Sequence, residues 1–325
     1  MTAFPGTRLV PARFDGLLVP SLGSRTYRLY VLGSVGFRPS LTPEGTPMKT
    51  CTVDGAPVAY TDIGQGPVLM FVHGVYVTGA LWDDLTARLS DRFRCIAPTW
   101  PLGAQDQLAG DADVGAAASA RRIAHFVEQL DLDDVTIVAN DTGGGLVLTM
   151  LGDHTLDLSR IGRLVLTNCD SYEHFPPGSF RPIVNICRAS AGIGGVILAG
   201  FAGKRGRQVF LKAVCKKPIS ADRQAEVFGA FATSKASRKE AVRTTATLDP
   251  KLTLAASEAI ENFDKPVLLA WATDDDLFFP LSHAERLRDA FPNSILVTIP
   301  DSATYVMLDA PDQLAAAITE FIKPG

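Results

Sequence analysis

The chain has 325 residues, is 46% hydrophobic and carries a net charge of −4, which is enough apolar material for one large core, with or without an inserted second unit. Its 31 Lys and Arg residues are scattered rather than set in a stripe, which argues against a nucleic-acid partner. The five cysteines (Cys51, Cys95, Cys169, Cys187 and Cys215) are odd in number and lack metal-ligand spacing; they fit reduced, mostly structural thiols in a cytoplasmic protein, with no metal and no cofactor implied.

Residues 1–47 carry Pro5, Pro11, Pro20, Pro39, Pro43 and Pro47 and show neither a clean period nor the apolar core of a signal peptide. They read as a loosely attached N-terminal extension, with the folded domain starting at Met48. Continuous apolar runs at 67–73, 93–98, 134–140, 162–168, 266–272 and 294–299 predict strands buried on both faces. Helical patterns lie between them at 80–91, 115–130, 144–153, 281–291 and 311–322; in the second, Ala116, Ala120, Ile123, Val127 and Leu130 form one apolar face. Strands alternating with helices predict an α/β fold built on a mostly parallel, doubly wound sheet. The rhythm breaks between residues 171 and 262, a helical stretch that reads as a cap over a core made of 48–170 and 263–325. Within it, 183–201 has the apolar character of a short membrane span, but Arg188, its Gly and Ser residues and its polar flanks favour a buried helical hairpin. The sequence thus suggests no membrane partner, and a homodimer is left open.

Residues 136–144 read Thr-Ile-Val-Ala-Asn-Asp-Thr-Gly-Gly. A buried strand runs into Asp141 and a helix begins near Gly143. Small residues two before and two after the Asp, Ala139 and Gly143, suit a sharp strand-to-helix turn that presents a reactive side chain. A carboxylate there is ionised at neutral pH and can attack carbon directly. The competing reading is an Asp that caps the following helix. The glycines at 143–145 lack the spacing of a dinucleotide-binding loop. A second motif, His73-Gly74-Val75-Tyr76-Val77-Thr78-Gly79-Ala80-Leu81-Trp82, follows the first buried strand.

Together these motifs resemble the α/β-hydrolase superfamily and, within it, the haloalkane dehalogenase and epoxide hydrolase branch, over roughly residues 50–325. The resemblance implies that Asp141 is a nucleophile on an elbow, that His73 and Gly74 shape a supporting loop, and that the backbone N–H groups of Val75 and Thr142 form an oxyanion or leaving-group site. A narrower resemblance is to bacterial hydrolase-like sequences sharing Asn140-Asp141-Thr142-Gly143-Gly144, Thr167-Asn168-Cys169-Asp170 and Phe175-Pro176-Pro177. It implies a hydrolase without naming a substrate.

In the superfamily an acid follows the strand at 266–272. Counting back from Pro280 picks Asp276, and counting from the strand end picks Asp275. The alternative is a solvated acidic loop. The superfamily's His lies after the last strand. Lined up on Pro300 and Pro311, that position is Thr304, which cannot act as a base near neutrality. Of the five His residues, only His174 is expected near the cavity mouth. Trp100, Asp170, Tyr172 and Tyr305 join Val75 and Thr142 as candidate substrate contacts, and Phe180, Ile183, Ile186 and Phe210 are cap residues in position to face the substrate.

Three functions follow as alternatives. One is a hydrolase of a small apolar molecule that uses Asp141 as nucleophile or base. Another is a lyase or isomerase with Asp141 as general base. The last is a small-molecule-binding pseudoenzyme.

Overall fold

The computed structural model describes residues 30–31 and 47–323. The expected extension at 1–47 therefore lies, apart from residues 30–31 and 47, outside the described residues. Among the described residues nine strands form one sheet: β1 (Tyr30–Val31), β2 (Lys49–Val53), β3 (Ala56–Ile63), β4 (Val68–Val72), β5 (Arg94–Thr99), β6 (Val135–Asp141), β7 (Ile161–Cys169), β8 (Val267–Ala272) and β9 (Ser294–Ile299). Their spatial order is β1-β9-β8-β7-β6-β4-β5-β3-β2. The pairs from β5 through β1 are parallel, while β2–β3 and β3–β5 are antiparallel. The α/β, mostly parallel sheet expected from the sequence is present.

The six apolar runs become β4 to β9. Their residues are almost entirely buried because helices cover the sheet. The β2–β3 hairpin was missing from the expected elements, since its outer strand is mostly exposed, reaching a buried residue only at Val53, and never forms an apolar run. Its turn has a sequence signature nonetheless: Asp54-Gly55 sits at positive φ on both residues (49° and 75°), the dipeptide that two-residue hairpins favour.

Helices 116–129 and 142–151 pack together with 250–255, and helices 83–89, 306–309 and 311–322 form a second packed group. Between β7 and β8, seven helices cover residues 181–262. The expected hairpin within them forms, as helices Arg181–Ala189 and Ala191–Ala202, but it is not buried: Ile193 and Val196 are 59% and 73% exposed. Only one face of the second helix meets the protein. Among the described residues no helix is long and apolar enough to cross a membrane.

The chain order sets the position of the site. After β4 the chain adds β5 on one side, then returns to place β6 on the other side of β4. Strand order thus reverses between β4 and β6, and a crevice opens there at the carboxyl ends of the strands. Asp141 ends β6 in that crevice, and the His73-Gly74-Val75 loop leaves the end of β4 beside it.

Candidate active site

Asp141 sits at φ 54°, ψ −134°, between the end of β6 and helix Thr142–Leu151. Such a conformation is costly for a residue with a side chain and persists only where its surroundings enforce it. Here they do. Gly143 lies so close to the end of β4 that a Cβ would strike the carbonyl oxygens of Val72 and His73, and a Cβ on Gly74 would overlap the Asp141 carboxylate. The small positions around the Asp are therefore needed for backbone approach.

His73 fixes the loop. Its Nε2 accepts from the Trp100 N–H at 2.9 Å, so Nδ1 carries the proton and donates to the Gly74 carbonyl at 2.7 Å. Burial pushes its pKa down to about 4, and the ring stays neutral.

The Asp141 carboxyl faces a cavity whose walls include Val75, Tyr76, Thr142, Phe180, Phe210 and Thr304. Burial pushes its pKa up to about 7; the Thr142 backbone N–H opposes that rise and the charge of Asp275 adds to it. Asp170, at the end of β7, is completely buried beside it, and its N–H donates to the Asp141 carbonyl at 3.3 Å. Its carboxyl oxygens lack a hydrogen bond of good geometry. Burial first, then the neighbouring Asp141, holds its pKa well above the usual range. Two carboxyls this close do not both ionise readily, and both are held above the usual carboxylate range.

Thr304 lines the cavity, and its hydroxyl donates to Asp275 Oδ2 at 2.7 Å. Asn168 donates to the same oxygen at 3.2 Å, and the N–H groups of Phe278 and Phe279 reach Oδ1 at 3.2 and 3.4 Å. Asp275 is 2% exposed. Asp276 is exposed and makes none of these bonds. Counting back from Pro280 therefore misplaces the buried acid, because the loop folds its amides around Asp275 and turns the next residue outward. Asn140 ties this region to the elbow: its Nδ2 donates to the Thr304 carbonyl at 2.8 Å and to Thr167 Oγ1 at 2.9 Å.

The structure thus gathers Val75, Asp141, Thr142 and Thr304 around one cavity, with His73, Gly74, Asp170 and Asp275 immediately behind. Tyr305 is fully buried, its ring edge-on to Phe210 at 6.1 Å and its hydroxyl without a partner among the described residues. Tyr305, an expected contact, thus packs against a wall residue without lining the cavity itself, and two other expected contacts lie elsewhere. Trp100 does not line the cavity; it packs edge-on to Phe126, and its Nε1 donates to the Phe71 carbonyl at 3.1 Å. Tyr172 lies under the Arg286 guanidinium, 3.9 Å from the ring centroid. None of the five His residues lines the cavity. His174 instead stacks on His283 at 4.1 Å, and His125 pairs with Asp54 at 2.9 Å. Among the described residues no group of three His, Cys, Asp or Glu side chains is arranged to hold a metal ion.

Of the apolar cap residues, Phe180 and Phe210 line the cavity, whereas Ile183 and Ile186 do not. A second, wholly aromatic pocket adjoins it, lined by Tyr76, Phe180, Phe201, Phe210, Phe228 and Phe231. Tyr76, missing from the expected contacts, joins the two: it stacks on Phe231 at 4.6 Å, and its hydroxyl meets Thr245 Oγ1 at 2.5 Å. Its place directly after Val75 in the His73-Gly74 loop is the signal that could have found it.

This arrangement of strand order, elbow and inserted helices defines an α/β hydrolase. The chain matches the alpha/beta hydrolase family over residues 69–317 and belongs to it. Among similar proteins, haloalkane dehalogenase 2 of Mycobacterium tuberculosis is 26% identical over 300 residues, covering 88% of this chain and 99% of that one. A cis-3-alkyl-4-alkyloxetan-2-one decarboxylase of Xanthomonas campestris is 24% identical over 300 residues, covering 86% and 96%. The solved structure of haloalkane dehalogenase DbeA from Bradyrhizobium elkani superposes with a TM-score of 0.71 at 17% identity, covering 85% of this chain and 97% of that one, a likeness of fold.

Proposed function

We propose that this protein is an enzyme acting on a small apolar molecule, with the Asp141 carboxylate as nucleophile and the helices of residues 171–262 as a cap over the site. The observation that carries the reading is Asp141 itself, held at positive φ at the reversal point of the sheet and facing a cavity with mostly apolar walls. In the first step a carboxylate oxygen attacks the substrate carbon that bears the leaving group. A C–O bond forms, the bond to the leaving group breaks with its electron pair, and an ester on Asp141 remains. The Thr142 backbone N–H, which bonds the Asp141 carboxylate, would hold it in place for the attack. Similarity to haloalkane dehalogenase 2 supports a halide as that group.

Hydrolysis of the ester needs a base to take a proton from water. No imidazole lines the cavity. Thr304, which we read as standing in place of the family's His, spends its proton on Asp275 and has no accessible pKa to accept another. The ester is accordingly long-lived.

A second reading is favoured by the pKa of Asp141, about 7. A general base works best when its pKa lies near the working pH. Asp141 would then remove a proton in a lyase or isomerase reaction, and the similarity to a decarboxylase agrees with non-hydrolytic chemistry on this scaffold.

Assays of halide release, epoxide loss and ester cleavage on wild type and Asp141→Asn test the proposal. The expected result is reaction with at least one class in wild type and its loss in the variant. Reaction that survives in the variant overturns the role of Asp141. No reaction with any class, alongside tight binding of the same compounds, replaces the enzyme by a binding protein.

A further inference from the structure

Residues 174–221 contain eight Lys or Arg residues and no Asp or Glu, in a chain of net charge −4. The chain-wide sum hides this run, and the structure shows where it comes to the surface. Helix Ala191–Ala202 reads AGIGGVILAGFA, without a single polar side chain, yet Ile193 and Val196 are 59% and 73% exposed. Helix Lys204–Val214 follows after one residue. Its exposed positions are Lys204, Arg205, Gln208, Val209 and Lys212, a spacing that defines one helical face. Val209 is 69% exposed.

The inner sides of both helices meet at the aromatic pocket through Phe201 and Phe210. Their outer sides look away from it and carry the exposed Ile193, Val196 and Val209 together with the exposed Lys204, Arg205 and Lys212. Other basic residues of the run are engaged: Arg188 pairs with Asp249 at 3.6 Å and Lys216 with Asp274 at 3.1 Å. Lys204, Arg205 and Lys212 have no ion pair among the described residues.

We propose that this face docks peripherally on an anionic lipid surface. Charge complementarity selects the occupant. Exposed aliphatic side chains and unpaired cations on the same two helices match the boundary between acyl chains and anionic headgroups, where Ile and Val side chains leave water and Lys and Arg meet phosphates. A second copy of the chain on the same face would bring two sets of unpaired cations together. A nucleic acid would find no use for the exposed Ile193, Val196 and Val209, and an acidic protein would meet, in helix Ala191–Ala202, no side-chain hydrogen bonds. The sequence expectation of no membrane partner rested on the lack of a spanning segment, which a peripheral contact does not need. The inference is independent of the chemistry proposed for Asp141.

The test is flotation of the full chain with vesicles of phosphatidylcholine alone and of equimolar phosphatidylcholine and phosphatidylglycerol. Two variants accompany it: Val196→Asp, and the triple change Lys204→Gln, Arg205→Gln and Lys212→Gln. All these positions are exposed, and circular dichroism checks that the fold is kept. The wild type is expected to float with the anionic vesicles and to be released by high salt. Removing the three cations is expected to lower partitioning by on the order of a hundredfold, and Val196→Asp to lower it as well. Failure of the wild type to float with anionic vesicles overturns the proposal, as does flotation unchanged in both variants. A wild-type dimer that Val196→Asp converts to monomer, without vesicle binding, assigns the face to self-association and overturns it too.

Discussion

Thr304 and Asp275 form a buried hydroxyl–carboxylate pair at 2.7 Å, joining the loop after β9 to the loop after β8. Burial pushes the Asp275 carboxyl up, and the Thr304 hydroxyl leads the hydrogen bonds that pull it part of the way back. The pair stands at the wall of the cavity that Asp141 faces, with Thr304 toward the substrate space and Asp275 behind.

Replacing Thr304 by Val removes the strongest of these donors while keeping the shape of the side chain. The variant is expected to lose about 1–2 kcal/mol of stability, and Thr304→Ser to lose much less. Urea melts of the three proteins check this. Equal midpoints for Val and wild type would show that the hydrogen bond contributes nothing net.

Asp141 gives the protein a pH signature. In the unfolded chain its carboxyl ionises near pH 4, by about 3.9; in the fold, burial holds the proton until about 7. Between these values the native state binds a proton that the unfolded chain has lost. Stability therefore falls as pH rises through that window. Below it both states are protonated and there is no penalty, and above it the loss is complete. The slope should shrink in Asp141→Asn, as read by melting temperature against pH. Nucleophilic attack needs the carboxylate, so the rate of ester formation should rise with pH around a midpoint near 7.

Gly74→Ala places a methyl group where the Asp141 carboxylate sits. The carboxylate must move, and misplacement of a reacting group by about 1 Å costs on the order of a hundredfold in rate. Single-turnover ester formation should drop accordingly while the circular dichroism spectrum is retained. Wild-type rates in this variant would show that the carboxylate position is not critical.

Asp309 pins the inserted helices to the core. Its carboxylate accepts the N–H groups of Lys216 at 2.9 Å, Lys217 at 2.9 Å and Ala303 at 3.0 Å, and it is 1% exposed. Asp309→Ala leaves the buried Ala303 amide and the part-buried Lys216 and Lys217 amides without this partner and is expected to cost about 2–3 kcal/mol. Denaturant unfolding measures it. A cost below that of an exposed substitution would mean the amides find water instead.

The sheet was legible because strands covered on both faces must be continuously apolar, as Val68–Val72 and Val267–Ala272 are. The hairpin at 49–63 escaped the same reading because its outer edge is exposed, although Asp54-Gly55 marked its turn. The elbow could be read from Ala139, Asp141 and Gly143, since backbone approach dictates residue size locally. The choice between Asp275 and Asp276 could not: it depends on which carboxylate the loop amides enclose, a tertiary fact. Trp100 illustrates the same limit. Its position at a strand end suggested the cavity, while its Nε1–H required the Phe71 carbonyl and took the ring into the core.

The most direct measurement is the intact mass of wild type, Asp141→Asn and Thr304→His after incubation with a reactive bromoalkane, followed by peptide mapping. The account predicts one alkyl adduct per wild-type chain, located on Asp141 and persistent, none in Asp141→Asn, and a shorter-lived adduct in Thr304→His as the imidazole supplies the missing base. An equal adduct in Asp141→Asn, or wild-type turnover to alcohol as fast as in Thr304→His, would contradict it.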